Sequence, residues 1–208
     1  MKTIHRFLPS KFLALAVALC PLAFVTTSPA ADSMAAGEKP MMPAAPMEMM
    51  PGLKVGDRAP DFTLKNAAGQ EVALHDLLAK GNVALAFVRS ADWCPFCRKQ
   101  LQDLQGSLEA IRASGVQLIA LSYDSPETNA KAAAKLGLTF PLLSDPGSRT
   151  IDAYGIRNRE ATGRAAGVPH PTLFILDRQG VIRAKLMRDG YKDRPEPAEL
   201  IAAAKKVM

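Results

Sequence analysis

The chain has 208 residues, 48% of them hydrophobic, 22% charged and 6% aromatic, a composition that excludes a disordered, collagen-like or membrane-embedded protein. Three cysteines are too few for a disulfide scaffold. The formal charge of +6 includes Lys2, Arg6 and Lys11 from an opening segment without acids; the remaining 23 basic and 20 acidic residues are interspersed and give no nucleic-acid footprint.

In chain order, residues 1–30 carry a basic start, then the 14-residue apolar run Phe12–Val25, then small residues around Ala30. This is the layout of a cleaved secretory signal peptide, since the run contains Pro21 and falls short of the ~20 residues needed to span a bilayer. Cys20 goes with the segment, leaving Cys94 and Cys97. The expected location is periplasmic or secreted, with membrane contact only during export. Residues 31–52 are built from Ala, Pro and Met and read as a linker. They hold six of the nine methionines, a soft-ligand set whose random spacing makes Cu(I) handling a secondary reading.

Residues 53–208 form the expected folded domain. Asp61–Leu64 and Glu71–Leu74 read as two strands joined by a turn. Asn82–Val88 is a continuous apolar run, the mark of a central strand buried on both faces. Leu101, Leu104, Leu108 and Ile111 recur at helical spacing, predicting one helix from the cysteines to Ser114-Gly115. Val116–Ser122 reads as a second buried strand, Pro126–Leu136 as a helix, and Thr139–Leu143 as a short or edge element because of Pro141. A short helix over Ser148–Tyr154, a hairpin from Thr172–Leu176 and Val181–Leu186, and a last helix from Pro197 complete an α/β fold with a mixed central sheet flanked by helices.

The chemistry concentrates in Trp93-Cys94-Pro95-Phe96-Cys97-Arg98-Lys99. A CxxC at a strand-to-helix junction puts the first sulfur at a helix N-terminus, where free N–H groups and the helix dipole favour a thiolate. Pro95 suits the first helical turn, and Arg98 and Lys99 add positive potential. The chemistry this implies is thiol–disulfide exchange, with a mixed disulfide on Cys94 released by Cys97. Two other readings stay open. A structural disulfide would close too small a loop to constrain the unfolded chain much. Zinc would need two more ligands, and only His75 and His170 remain, without ligand-like spacing. No metal or organic cofactor is expected.

Val55-Gly-Asp-Arg-Ala-Pro-Asp-Phe-Thr-Leu64, the CxxC junction, His170-Pro171-Thr172, Asp177-Arg-Gln-Gly180 and Gly190-Tyr191-Lys-Asp-Arg-Pro195 resemble the alkyl hydroperoxide reductase/thiol-specific antioxidant branch of the thioredoxin superfamily. The likeness is to its peroxiredoxin-like members with a CxxC. It implies a thioredoxin-like fold, a cis Pro171 facing the dithiol, and His170 near Cys94 as thiolate stabiliser or proton shuttle; a solvent-facing loop histidine is the alternative. It also implies a protein or small-molecule thiol as reductant and a hydroperoxide or disulfide as substrate.

Two departures bear on the substrate. Peroxidases of this branch carry a Pro-x-x-x-Thr/Ser-x-x-Cys loop and an arginine at the later strand entrance; here Arg89-Ser-Ala-Asp-Trp-Cys94 lacks the proline, and Pro171 occupies the arginine position. Arg89, Arg98 and Arg164 are the candidates to replace that charge. Thioredoxins have a buried acid six residues before the first cysteine, where this chain has Val88; Asp92 is a nearer acid. The expected function is therefore an exported, thiol-dependent antioxidant oxidoreductase acting on hydroperoxides or protein disulfides. A disulfide oxidoreductase without peroxidase activity is the alternative.

Overall fold

The computed structural model describes residues 50–207; the expected signal peptide, its cleavage site and all of the linker before Met50 lie outside them. Contacts with the folded body reach back to Pro51. Lys185 Nζ donates to the Pro51 carbonyl at 2.7 Å, and Leu53 N–H to Tyr154 O at 3.1 Å. Gly52 is required at this contact: its φ is +96°, and a Cβ there would lie 2.4 Å from Ile156 Cγ2.

Strands β1 (Thr63–Asn66) and β2 (Glu71–Ala73) form the expected hairpin, closed by Asn66 Oδ1 accepting from Ala68 and Gln70 N–H. Leu74 does not extend β2 but opens α1 (Leu74–Lys80), which the sequence reading missed. Its apolar Leu74 and Leu77 are three apart and buried, while His75 and Asp76 face outward, so burial favours a helix here. Next come β3 (Asn82–Phe87), α2 (Pro95–Gly106), α3 (Leu108–Ala113) and β4 (Val116–Ser122). The single helix expected after the cysteines is thus two, broken at the Gly106-Ser107 pair, a common cause of helix kinks. The chain continues through α4 (Pro126–Leu136), β5 (Leu142–Ser144), α5 (Arg149–Ala153), β6 (Thr172–Leu176), β7 (Ile182–Met187) and α6 (Pro197–Lys206). Ser125 caps α4 by accepting from Thr128 N–H, and Glu196 and Glu199 form a capping box on α6.

The seven strands lie in the order β2-β1-β5-β4-β3-β6-β7, with β3, β4 and β5 parallel and the other pairings antiparallel. β5 is short but not at an edge. Pro141 sits just before it, where its missing N–H is not needed, and its carbonyl accepts from Ala120 at 2.9 Å.

Alternation along β3 divides the core in two. Ala84 and Ala86 join Leu101, Leu104, Ile111, Leu200 and both cysteines on one face. Val83, Leu85 and Phe87 pack on the other with Leu74, Leu77, Ile151, Tyr154 and Phe174. Among the described residues no helix is long and apolar enough to cross a membrane.

Candidate active site

The site forms where β3 gives way to α2, on the first of these faces. Asp124, just beyond β4, clamps the connecting loop: its carboxylate accepts from Ala91 N–H at 2.8 Å, Ser90 Oγ at 3.0 Å and Ser122 Oγ at 3.1 Å. Ser90 Oγ in turn accepts from the N–H groups of Asp92 and Trp93. This turn delivers Cys94 to the N-cap of α2, where its sulfur accepts from Cys97 N–H at 3.4 Å, and Pro95 takes the first helical turn as expected. Both cysteines are free thiols, 1% and 0% exposed, and their sulfurs are hydrogen-bonded at 2.6 Å.

One proton lies between these sulfurs, so the pair gives up its first proton easily and its second with difficulty. The sulfur–sulfur hydrogen bond, followed by burial, pushes the Cys94 thiol up. The same bond lowers Cys97 to about 6 despite its burial, aided by a backbone hydrogen bond from Ser90 and by Arg194. The first ionisation therefore belongs to the pair at the N-terminus of α2 rather than to either sulfur alone. Folding lowers the Cys97 value from 9.0, so the reduced protein gains stability as pH rises from about 6 toward 9 and loses it as pH falls back through about 6. Thiolate absorbance of the reduced protein should rise with a midpoint at about 6, and Cys97→Ser, which removes the partner sulfur, should move that midpoint up. A single midpoint at the value of a free thiol would contradict this arrangement.

The cation at the sulfurs is not one the sequence pointed to. Arg194 Nη2 lies 3.6 Å from Cys97 Sγ, and its Nη1 donates to the carbonyls of Tyr191 and Asp193. Arg98 instead reaches back to the Asp92 carbonyl at 2.6 Å, and Lys99 pairs with Asp103. Arg89 stacks between Trp93 and Tyr191, 5.2 and 4.5 Å from their ring centres, while Arg164 covers Trp93 at 4.9 Å. Trp93 Nε1 donates to Tyr123 Oη at 3.0 Å, and exposed Tyr191 meets exposed Phe96 edge-on. Cations and aromatic rings thus cluster around the loop that carries Cys94.

His170 is half-buried, its value lowered by burial, and it forms no hydrogen bond with either sulfur. Pro171 is buried at the entrance to β6, but the expected cis bond is absent: every peptide bond among the described residues is trans. His170 N–H donates to Ile156 O at 2.7 Å, and Thr172 pairs with Phe87 in the β3–β6 register. Among the described residues no three His, Cys, Asp or Glu side chains cluster to hold a metal.

Sequence reasoning missed Asp124 and Arg194. The only signals were an acid at the end of a buried parallel strand, where sites on α/β sheets gather, and an arginine inside the Gly190–Pro195 stretch. The sequence profile of the AhpC/TSA family matches residues 55–185, which include both cysteines, His170 and Pro171.

The chain belongs to the AhpC/TSA family.

Among curated proteins, this family member is 35% identical over 138 residues to alkyl hydroperoxide reductase E of Mycobacterium tuberculosis, an overlap covering 65% of this chain and 86% of that one. It is 32% identical over 130 residues to the thiol-disulfide oxidoreductase ResA of Geobacillus thermodenitrificans, covering 62% and 67%. Among solved structures, peroxidoxin BcpB from Mycobacterium tuberculosis superposes with a TM-score of 0.66 at 22% identity, covering 75% of this chain and 99% of that one. The fold is thioredoxin-like, and the protein is an oxidoreductase of the peroxiredoxin-like kind.

Proposed function

We propose that this AhpC/TSA protein is an exported dithiol oxidoreductase that reduces disulfides of protein substrates. The observation that carries this reading is the contact of 2.6 Å between the Cys94 and Cys97 sulfurs at the N-terminus of α2. Two sulfurs already touching close an intramolecular disulfide with little backbone movement. Cys94 is the nucleophile: its thiolate attacks a substrate sulfur, forms a mixed disulfide and expels the other substrate sulfur as a thiol. Cys97 then attacks Cys94 and frees the second thiol. Trp93, Pro95, Arg89, Arg98, His170 and Pro171 belong to the surface and supports around this exchange. A protein or small-molecule thiol returns the pair to its reduced form. Export rests on the secretory layout of residues 1–30.

Family membership favours a second reading, in which the Cys94 thiolate attacks a hydroperoxide. The oxygen–oxygen bond breaks, an alcohol or water leaves, and the resulting sulfenic acid condenses with Cys97 to a disulfide and water. The absence of the peroxide-binding proline loop weighs against it. Cys94→Ser should reduce insulin-disulfide reduction to background, whereas Cys97→Ser should accumulate a mixed disulfide. Full activity in Cys94→Ser would overturn the assignment. A second-order rate with hydrogen peroxide no faster than that of a free thiol removes the second reading; a much faster one makes it the principal function.

A further inference from the structure

Once Cys94 is bonded to a substrate sulfur, it has no proton to share with Cys97, and the resolving sulfur needs another source of charge stabilisation. Cys97 is fully buried, and burial of a bare thiolate is costly. The groups that face it are Cys94, the Ser90 backbone and Arg194.

Arg194 reaches the site from the segment between β7 and α6, beyond the residues the family profile matches. Its surroundings leave its charge free for the sulfur. Its other nitrogens meet backbone carbonyls or, at the buried Nε, no partner among the described residues. The neighbouring charges around the cavity of about 510 Å³ between α2 and this segment are engaged elsewhere: Lys99 with Asp103, Arg188 with Glu199, and Glu196 in the cap of α6. Asp193 and Lys192 are exposed, and Arg89, from the opposite loop, lies against Tyr191.

We propose that Arg194 is a catalytic residue of the resolving step, holding Cys97 as a thiolate while Cys94 is in the mixed disulfide. The inference rests on the dithiol-exchange reading. In this step Cys97 Sγ bonds to Cys94 Sγ, and the bond from Cys94 to the substrate sulfur breaks. The electron pair leaves with the substrate sulfur, which takes a proton from solvent. The substrate sulfur is reduced, and the two cysteines end as a disulfide.

The test follows the reduced full-length protein reacting with oxidised glutathione, quenched by acid at successive times and pH values, with the Cys94–glutathione adduct counted by mass spectrometry. Arg194→Met should accumulate an adduct that the parent protein resolves, with the pH midpoint for resolution moved up by about 1–3 units, as expected for loss of an opposite charge at this distance. Arg194→Lys, which keeps the charge, should resolve with a midpoint close to that of the parent. Resolution by Arg194→Met at the parent rate at every pH overturns the inference, as does an equal shift in both variants. Cys97→Ser separates the two levels. If it forms no adduct at Cys94, the exchange reading falls and this inference with it; if it forms a stable adduct while Arg194→Met resolves normally, only the role of Arg194 falls.

Discussion

Asp124→Ala is expected to lower the unfolding free energy by about 1–3 kcal/mol and to slow disulfide exchange, although the side chain touches neither sulfur. The alanine leaves the buried Ala91 N–H without its acceptor and unpins Ser90, whose hydroxyl holds the Trp93 N–H one residue before Cys94. The loss is smaller than for a typical buried carboxylate because the group is itself strained: burial, opposed by these hydrogen bonds, raises its pKa. A raised value means that the contribution of Asp124 to stability is greatest in acid and declines as pH rises through that value. Asp124→Asn keeps one acceptor and does not titrate, so its stability relative to the parent should improve between about pH 3 and about pH 7. Denaturant unfolding at the two pH values, alongside exchange rates, checks both statements. An unchanged unfolding midpoint and exchange rate in Asp124→Ala would show that the loop is held by other contacts.

Phe87→Ala should cost more, about 3–5 kcal/mol, and yet leave the chemistry of the folded molecules intact. Phe87 is completely buried at the end of β3, with its ring centre 4.9 Å from that of Tyr154 and 5.9 Å from that of Phe174. Its removal opens a cavity in the core opposite the cysteines, because neighbouring β3 residues point to opposite faces of the sheet. Unfolding curves and a thiolate titration on the same sample separate the two effects. A titration midpoint displaced together with stability would mean that the faces are coupled through the strand.

Such consequences divide along what the sequence makes visible. Continuous apolar runs marked β3 and β4, because a strand buried on both faces has no polar positions to lose. The cysteine spacing marked the start of α2, because capping is local chemistry. Where two periods fit a short segment, the reading failed: Glu71–Leu74 alternates like a strand, but tertiary burial turns Leu74 into the start of α1. Pro141 points to a short or edge element; β5 is short, but sequence does not reveal that the strand begins one residue later and lies inside the sheet. The resemblance carried the cysteines to the right junction but brought a cis bond at Pro171 that this chain lacks. Asp124 meets Ala91 across 33 residues and Arg194 meets Cys97 across 97, separations at which no local spacing signals contact.

The docking of Pro51 and Gly52 has a meaning for solubility. β7 ends the sheet on one side, and a terminal strand with open amide and carbonyl groups is a template for another chain. Here the stretch leading into the domain runs along it: Gly56 N–H donates to Ile182 O, Asp57 O accepts from Ile182 N–H, Ala59 N–H donates to Gly180 O, and Lys185 grips Pro51. Residues just inside the domain thus act as a selvage at the start of β7, with Pro51 of the spacer held beside them, so that this end of the border does not fray into intermolecular pairing. Trimming the chain back to Ala59 would leave the fold's central strands and dithiol in place while baring that border to its own copies.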